Sequence, residues 1–201
     1  MTVPDFLRAR RSVRAFTPDP IDRARLDALV SAALLAPAPH HSQPWRWAVC
    51  DSSTAKRALA VAMGARWSRD LQADKIAFDQ INKLVEDSII RISTAPAALL
   101  GCLTHSGLDQ YPDEARQRAE WGMASLSLGA AVENLMLCAT DMGLASCWVA
   151  APIFCAEEAR RSINLPDDWL PQALILVGNP DPNYIPRTRP PVALDEFRTF
   201  R

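Results

Sequence analysis

Helical and strand-like periodicities take turns along the chain. Residues 21–35, IDRARLDALVSAALL, place Ile21, Leu26, Leu29, Val30, Ala33 and Leu34 on one helix face, and Pro37 and Pro39 stop the pattern. WRWAVCD, 45–51, is short, aromatic and β-branched, which predicts a strand, and SSTAKRALAVAMGARW reads as a helix opened by the hydroxyl and acidic residues at 51–54. A polar helical region follows over about 70–92. APAALLGCL, 95–103, is a continuous apolar run bounded by Pro96 and Gly107, the pattern of a strand buried on both faces, although Ala and Leu also suit a helix. The longest regular signal, 113–142, starts amphipathic at Ala115, Ala119, Met123 and Leu126 and then becomes apolar nearly all round. Such a helix must be enclosed by protein, its own or a second subunit's. Gly143 is placed as its cap, LASCWVA (144–150) reads as a strand, and AEEARRSINL is a short helix with acids early and arginines late. WLPQALILVGNP supplies the last strand, closed by a Gly-Asn-Pro turn.

Helices thus separate at least four strands, which predicts an α+β or α/β layered fold. With 201 residues, no internal repeat and no Gly/Ser-rich linker, the chain reads as one domain, 1–201. The proline-rich tail DPNYIPRTRPPVALDEFRTF is a poor element on its own and is expected to lie along its own or a partner's surface.

Composition narrows the function classes. Apolar residues at 49% and charged residues at 22% are globular values, so the 16 prolines punctuate loops in an ordered chain. A net charge of -1 supplies no general attraction to nucleic acid. Five cysteines, with no C-x-x-C pair, argue against a zinc ribbon or a complete disulfide framework and for reduced thiols in a cytoplasmic protein. The N-terminus has no signal-peptide core and no uninterrupted apolar run nears the about 18 residues of a membrane span, so neither export nor a membrane partner is expected.

Two stretches carry candidate chemistry. RARRSVRAF sets Arg8, Arg10, Arg11 and Arg14 around Ser12, the guanidinium forks and hydroxyl that grip a phosphate, unless they form a solvated helix face. APAPHHSQPW, 36–45, holds three prolines and the adjacent His40 and His41. Neighbouring histidines cannot converge as an i, i+4 pair does, and His105 is the only other histidine, so no metal site is expected.

The ordered set RRSVRAF, LLAPAPHHSQPWRW, MGLASCW, LPQALILVGNP and PRTRP resembles the nitroreductase family of flavin-dependent oxidoreductases over essentially the whole chain. Within it, APAPHH, RWSRDL, YPDEAR, GLASCW and LPDDW are similar to the C-terminal FMN reductase domain of the bifunctional enzyme of coenzyme F-420 biosynthesis. The resemblance implies an α+β three-layer fold, a central, mostly antiparallel sheet flanked by helices, in an intertwined homodimer with a C-terminal extension and FMN at the subunit interface.

The same resemblance assigns residues. Arg10, Arg11, Ser12, Val13 and Arg14 would hold the phosphate and ribityl end of FMN, with Arg187 and Arg189 completing the site unless they belong to a solvated tail. The backbone of Pro37, Ala38 and Pro39 would lie against the flavin ring, with Trp148, Val149 and Ala150 approaching from the other side. Trp148 could equally be a core aromatic and Cys147 an inert buried thiol. His40, His41 and Asp70 would face the substrate, Asp70 alternatively being a helix N-cap or first-turn carboxylate; Tyr111 would be a lid phenol or the start of a helix. The activity implied is reduction of the acrylate-like double bond of a dehydro deazaflavin (coenzyme F-420) precursor. The alternatives are an NAD(P)H-dependent nitroreductase or quinone reductase, and a non-catalytic flavin or deazaflavin binding protein.

Overall fold

The computed structural model describes residues 3–201. Its elements are α1 (Asp5–Ala9), α2 (Arg23–Ala33), β1 (Trp45–Cys50), α3 (Ser53–Ala73), α4 (Phe78–Thr94), β2 (Ala97–Leu103), α5 (Glu114–Asp141), β3 (Ala145–Val149), α6 (Ala156–Ser162), β4 (Leu170–Gly178) and α7 (Leu194–Phe197). The four strands form one sheet in the order β1-β2-β4-β3, every neighbour antiparallel. This is the α+β arrangement.

Strand periodicity of two sorts the apolar runs into two cores. Leu99, Leu103, Ile175 and Val177 face α2 and α5, joining Leu26, Leu29, Leu128 and Leu135. Leu100, Leu174 and Leu176 face the other way, against Leu59 and Met63 of α3, Ile92 of α4 and Ala159 of α6. The sheet is the middle of three layers, which is why β2 and β4 carry almost no polar residue. Pro171 cannot donate to a ladder, and the β2–β4 register slips beside it, between Gly101 and Cys102.

Helix boundaries follow cap chemistry. The Asp113 side chain accepts the Arg116 amide (2.9 Å) to open α5, and Gly143 ends it at φ 72, with Leu144 N donating to Ala139 O (2.8 Å). The helix expected to end at Trp67 runs on to Ala73, and the polar region expected from about 70 is two helices' worth of chain divided by a turn. Lys75, at φ 60, takes the left-handed position usually given to glycine, and Ile76 N donates to Leu71 O (3.1 Å). No glycine marks that boundary.

α5 is long and apolar enough to cross a membrane by length and composition alone. Here it covers one face of the sheet, and Ala124, Leu128, Ala131, Val132, Leu135 and Met136 are buried there. Gly178, at the end of β4, is needed for close approach: a Cβ there would stand 2.8 Å from Phe16 and from Pro96. That approach sets the N-terminal segment beside the sheet.

Candidate functional site

Three cavities hold twelve of the sixteen candidate residues, all but Val13, His40, His41 and Trp148. The first is basic. Ser12 bridges Ser146 in parallel and Val13 N donates to Ser146 O (3.0 Å), so the arginine-rich segment lies as an extra short strand on the outer edge of β3. Val13 is therefore a ladder residue, and its neighbours project into a cavity of about 220 Å³ lined by Arg10, Arg11, Ser12, Arg14, Arg187 and Arg189. Two segments some 175 residues apart in sequence thus meet around one space, as a phosphate site requires. The two are tied crosswise: Arg189 Nη2 donates to Arg10 O (2.9 Å) and the Arg11 guanidinium donates to Arg187 O. Arg10 is itself held by Glu133 of α5, Nε to Oε1 at 2.9 Å.

The second cavity, about 490 Å³, lies where β3 ends against α3 and α4. Val149, Ala150, Ala151 and Phe154 form one wall; Met63, Gly64, Trp67 and Asp70 of α3 and Ser88 and Arg91 of α4 form the others. Asp70 sits late in α3, so it is neither an N-cap nor a first-turn carboxylate. Arg66 Nε grips both of its oxygens at 2.9 and 3.1 Å, and Arg66 and Arg69 also reach Glu158 of α6 (3.7 and 2.8 Å). Arg91 has no hydrogen bond or ion pair among the described residues and is the free cation of this cavity. Ser88 and Arg91 went unread in the sequence because one serine and one arginine in a polar helix have no local signature.

Trp148 is 43% exposed, which rules out the core-aromatic alternative. Cys147 is buried, and burial raises its thiol pKa; burial likewise pushes Cys155, on the cavity wall, up to about 11. Neither is a thiolate at neutral pH.

The third cavity, about 390 Å³, is lined by Pro37, Ala38 and Pro39 with Met123, Leu126, Ser127 and Ala130 of α5. This proline ledge shares no lining residue with Val149 and Ala150. After it, His40, His41 and Gln43 all take left-handed backbone angles (φ 51, 54 and 46), which non-glycine residues adopt at a cost. Both histidines are exposed; His40 Nε2 stands 4.0 Å from Asp109. Tyr111 leads into α5, its amide donating to Gln117 and its ring lying 5.2 Å below the Arg116 guanidinium. The helix-start reading of YPDEAR is the one the geometry bears out.

Residues 7–179 match the sequence model of the nitroreductase family. The chain belongs to the nitroreductase family. This is a family of FMN-dependent oxidoreductases. Among its relatives, the 5,6-dimethylbenzimidazole synthase of Rhodobacter capsulatus is 29% identical over 88% of this chain and 83% of its own. The nitrobenzene nitroreductase of Ectopseudomonas oleovorans is 27% identical over 98% and 96%. The crystal structure of the FMN and NADPH-dependent nitroreductase NfnB from a Sphigopyxis strain superposes with a TM-score of 0.69 at 25% identity, covering 98% of this chain and 97% of that one. Membership in an oxidoreductase family sets aside the reading as a non-catalytic binding protein.

Proposed function

We propose that this nitroreductase-family chain is an FMN-dependent reductase that works as a homodimer and reduces the acrylate-like double bond of a dehydro deazaflavin precursor of coenzyme F-420. One observation carries the substrate: Trp67 and Asp70, from the segment RWSRDL, line the same cavity as Val149 and Ala150.

The residues present fit FMN. The arginine cavity offers guanidinium donors from Arg14, which spends only Nη1 on Ser12 O (3.3 Å), and from the outer nitrogens of its neighbours, suited to a phosphate dianion. The larger cavity has small, apolar wall residues where a flat ring needs close backbone approach, and Arg91 supplies positive charge for an electron-rich ring. FMN, when bound, supplies two-electron transfer.

The rest is the work of the chain. Val149 and Ala150 bound one side of the ring space, and the Pro37–Ala38–Pro39 ledge, in its separate cavity, serves the other side in the partner subunit's site. The exposed apolar residues of the tail, Ile185, Val192, Leu194, Phe197 and Phe200, are covered by that partner. The double bond takes a hydride equivalent at its β-carbon and a proton at its α-carbon, and His40, held near Asp109, is the group that carries this proton.

The test is to incubate the purified chain with FMN, dithionite and the dehydro precursor and to follow product mass. A product heavier by two hydrogens is expected; its absence, with a known reductase working alongside, removes the substrate. A second reading, an NAD(P)H-dependent nitroreductase, is favoured by the relatives named above. Turnover of nitroaromatics with NAD(P)H and indifference to deazaflavins would establish it in place of the first.

A further inference from the structure

The Pro37–Ala38–Pro39 ledge has few means of holding itself in place. Its two prolines have no N–H, so its contacts run through carbonyls. Ala38 O accepts His41 N (3.2 Å) and Pro39 O accepts Ser42 N (2.9 Å), both inside the local turn. Among the described residues, the only hydrogen bond tying these three carbonyls to the body comes from Ser127 of α5, whose Oγ donates to Pro37 O at 2.6 Å across 90 residues of sequence.

Two features mark this bond as specific. A serine inside a helix commonly returns its hydroxyl to the carbonyl four residues back, as Ser125 does to Trp121 O (2.9 Å). Ser127, 5% exposed, sends its hydroxyl outside its own helix. Seven residues on, and so on the same face of α5, Asn134 Nδ2 reaches Ala32 O (3.4 Å) near the end of α2. α5 therefore grips the chain both where α2 ends and where the ledge begins.

We infer that Ser127 is a positioning residue for the flavin-facing ledge: its hydroxyl fixes the tilt of the Pro37 peptide. The Ala38 N–H, the ledge's one amide and without an acceptor among the described residues, is thereby held in a set orientation at the cavity it lines. This role rests on the reading of residues 37–39 as a flavin contact. Without the hydroxyl the Pro37 carbonyl loses its donor from α5, and the peptide is free to turn toward another.

The experiment compares the wild-type chain, Ser127→Ala and Ser127→Thr by thermal unfolding without FMN, by FMN titration, and by visible circular dichroism of the bound flavin. For Ser127→Ala we expect unfolding near the wild-type temperature, FMN binding weaker by about tenfold and an altered flavin spectrum. Ser127→Thr, which keeps the hydroxyl, restores affinity and spectrum. Wild-type affinity and spectrum in Ser127→Ala overturn the proposal while leaving the flavin reading intact. So does an effect that Ser127→Thr fails to restore and that tracks a fall in unfolding temperature. A wild-type chain that binds no FMN overturns the flavin reading itself, and this role with it.

Discussion

The arginine cavity and the proline ledge solve opposite problems. In the first, side chains converge: Arg10, Arg11, Arg14, Arg187 and Arg189 reach one space from an edge strand and from the tail. In the second no charged side chain takes part, and Pro37, Ala38 and Pro39 line the space with small and apolar residues of α5. Both hang on α5. Glu133 holds Arg10 and Ser127 holds Pro37, six residues apart and thus about 120° apart around the helix at about 3.6 residues per turn. A site built of charges tolerates small displacements and is weakened by salt; a site built of backbone depends on angles and is not.

That contrast predicts graded effects. The double variant Arg14→Ala/Arg189→Ala should weaken FMN binding by about a hundredfold or more in a fluorescence titration, since each charge-assisted hydrogen bond contributes about 1.5–3 kcal/mol. The difference from wild type should shrink as salt is raised. Unchanged affinity would show that the phosphate is held elsewhere. Pro37→Gly loosens the ledge without touching a charge, and a loss of about two- to fivefold is expected, from about 0.4–1 kcal/mol of backbone entropy. The same titration repeated in high salt should return the same ratio; a ratio that collapses with salt would erase the distinction between the two regions.

The smallest effect concerns the shared support. Asp113 caps α5, and the Arg116 amide, followed by the Arg116 side chain, holds its carboxyl below the ordinary value of 3.8. Because the folded value is depressed, the cap is fully effective above about pH 4 and is lost as pH falls through the lowered folded value. Asp113→Ala should lower the unfolding temperature by about 2–4 °C between pH 5 and 8, and the gap should close in more acidic buffer. FMN affinity is expected to stay at the wild-type level; a fall as large as that of Pro37→Gly would make the start of α5 part of the ledge.

How much of this could be read in advance differed by region. The helix expected at 21–35 is Arg23–Ala33, the strand at 45–51 is Trp45–Cys50, the strand at 95–103 is Ala97–Leu103, and the long helix at 113–142 is Glu114–Asp141. Each has a strong period or a proline or acidic boundary. The division of 52–94 was misplaced because its turn uses Lys75 in a glycine's conformation. The phosphate candidates were visible as clustered charge, and the structure gathers all of them except Val13, whose amide is spent on Ser146. Ser88, Arg91 and Ser127 were not visible, since each matters only for what stands opposite it.

The amino-acid order by itself therefore determined most of the elements, a layered fold of helices and strands and the residue types able to bind an anion, because periodicity, caps and charge clusters are local properties; the three-layer α+β form was implied only by the family resemblance. Only the tertiary structure decided which distant segments meet. It joined Arg187 to Arg11 and Arg189 to Arg10 through hydrogen bonds across about 180 residues, and it put Asp70 and Arg91 on one cavity. It also set the proline ledge in a cavity of its own, held by a serine 90 positions away. Such meetings depend on how two helical layers pack against a buried sheet, and no local pattern of residues encodes that packing.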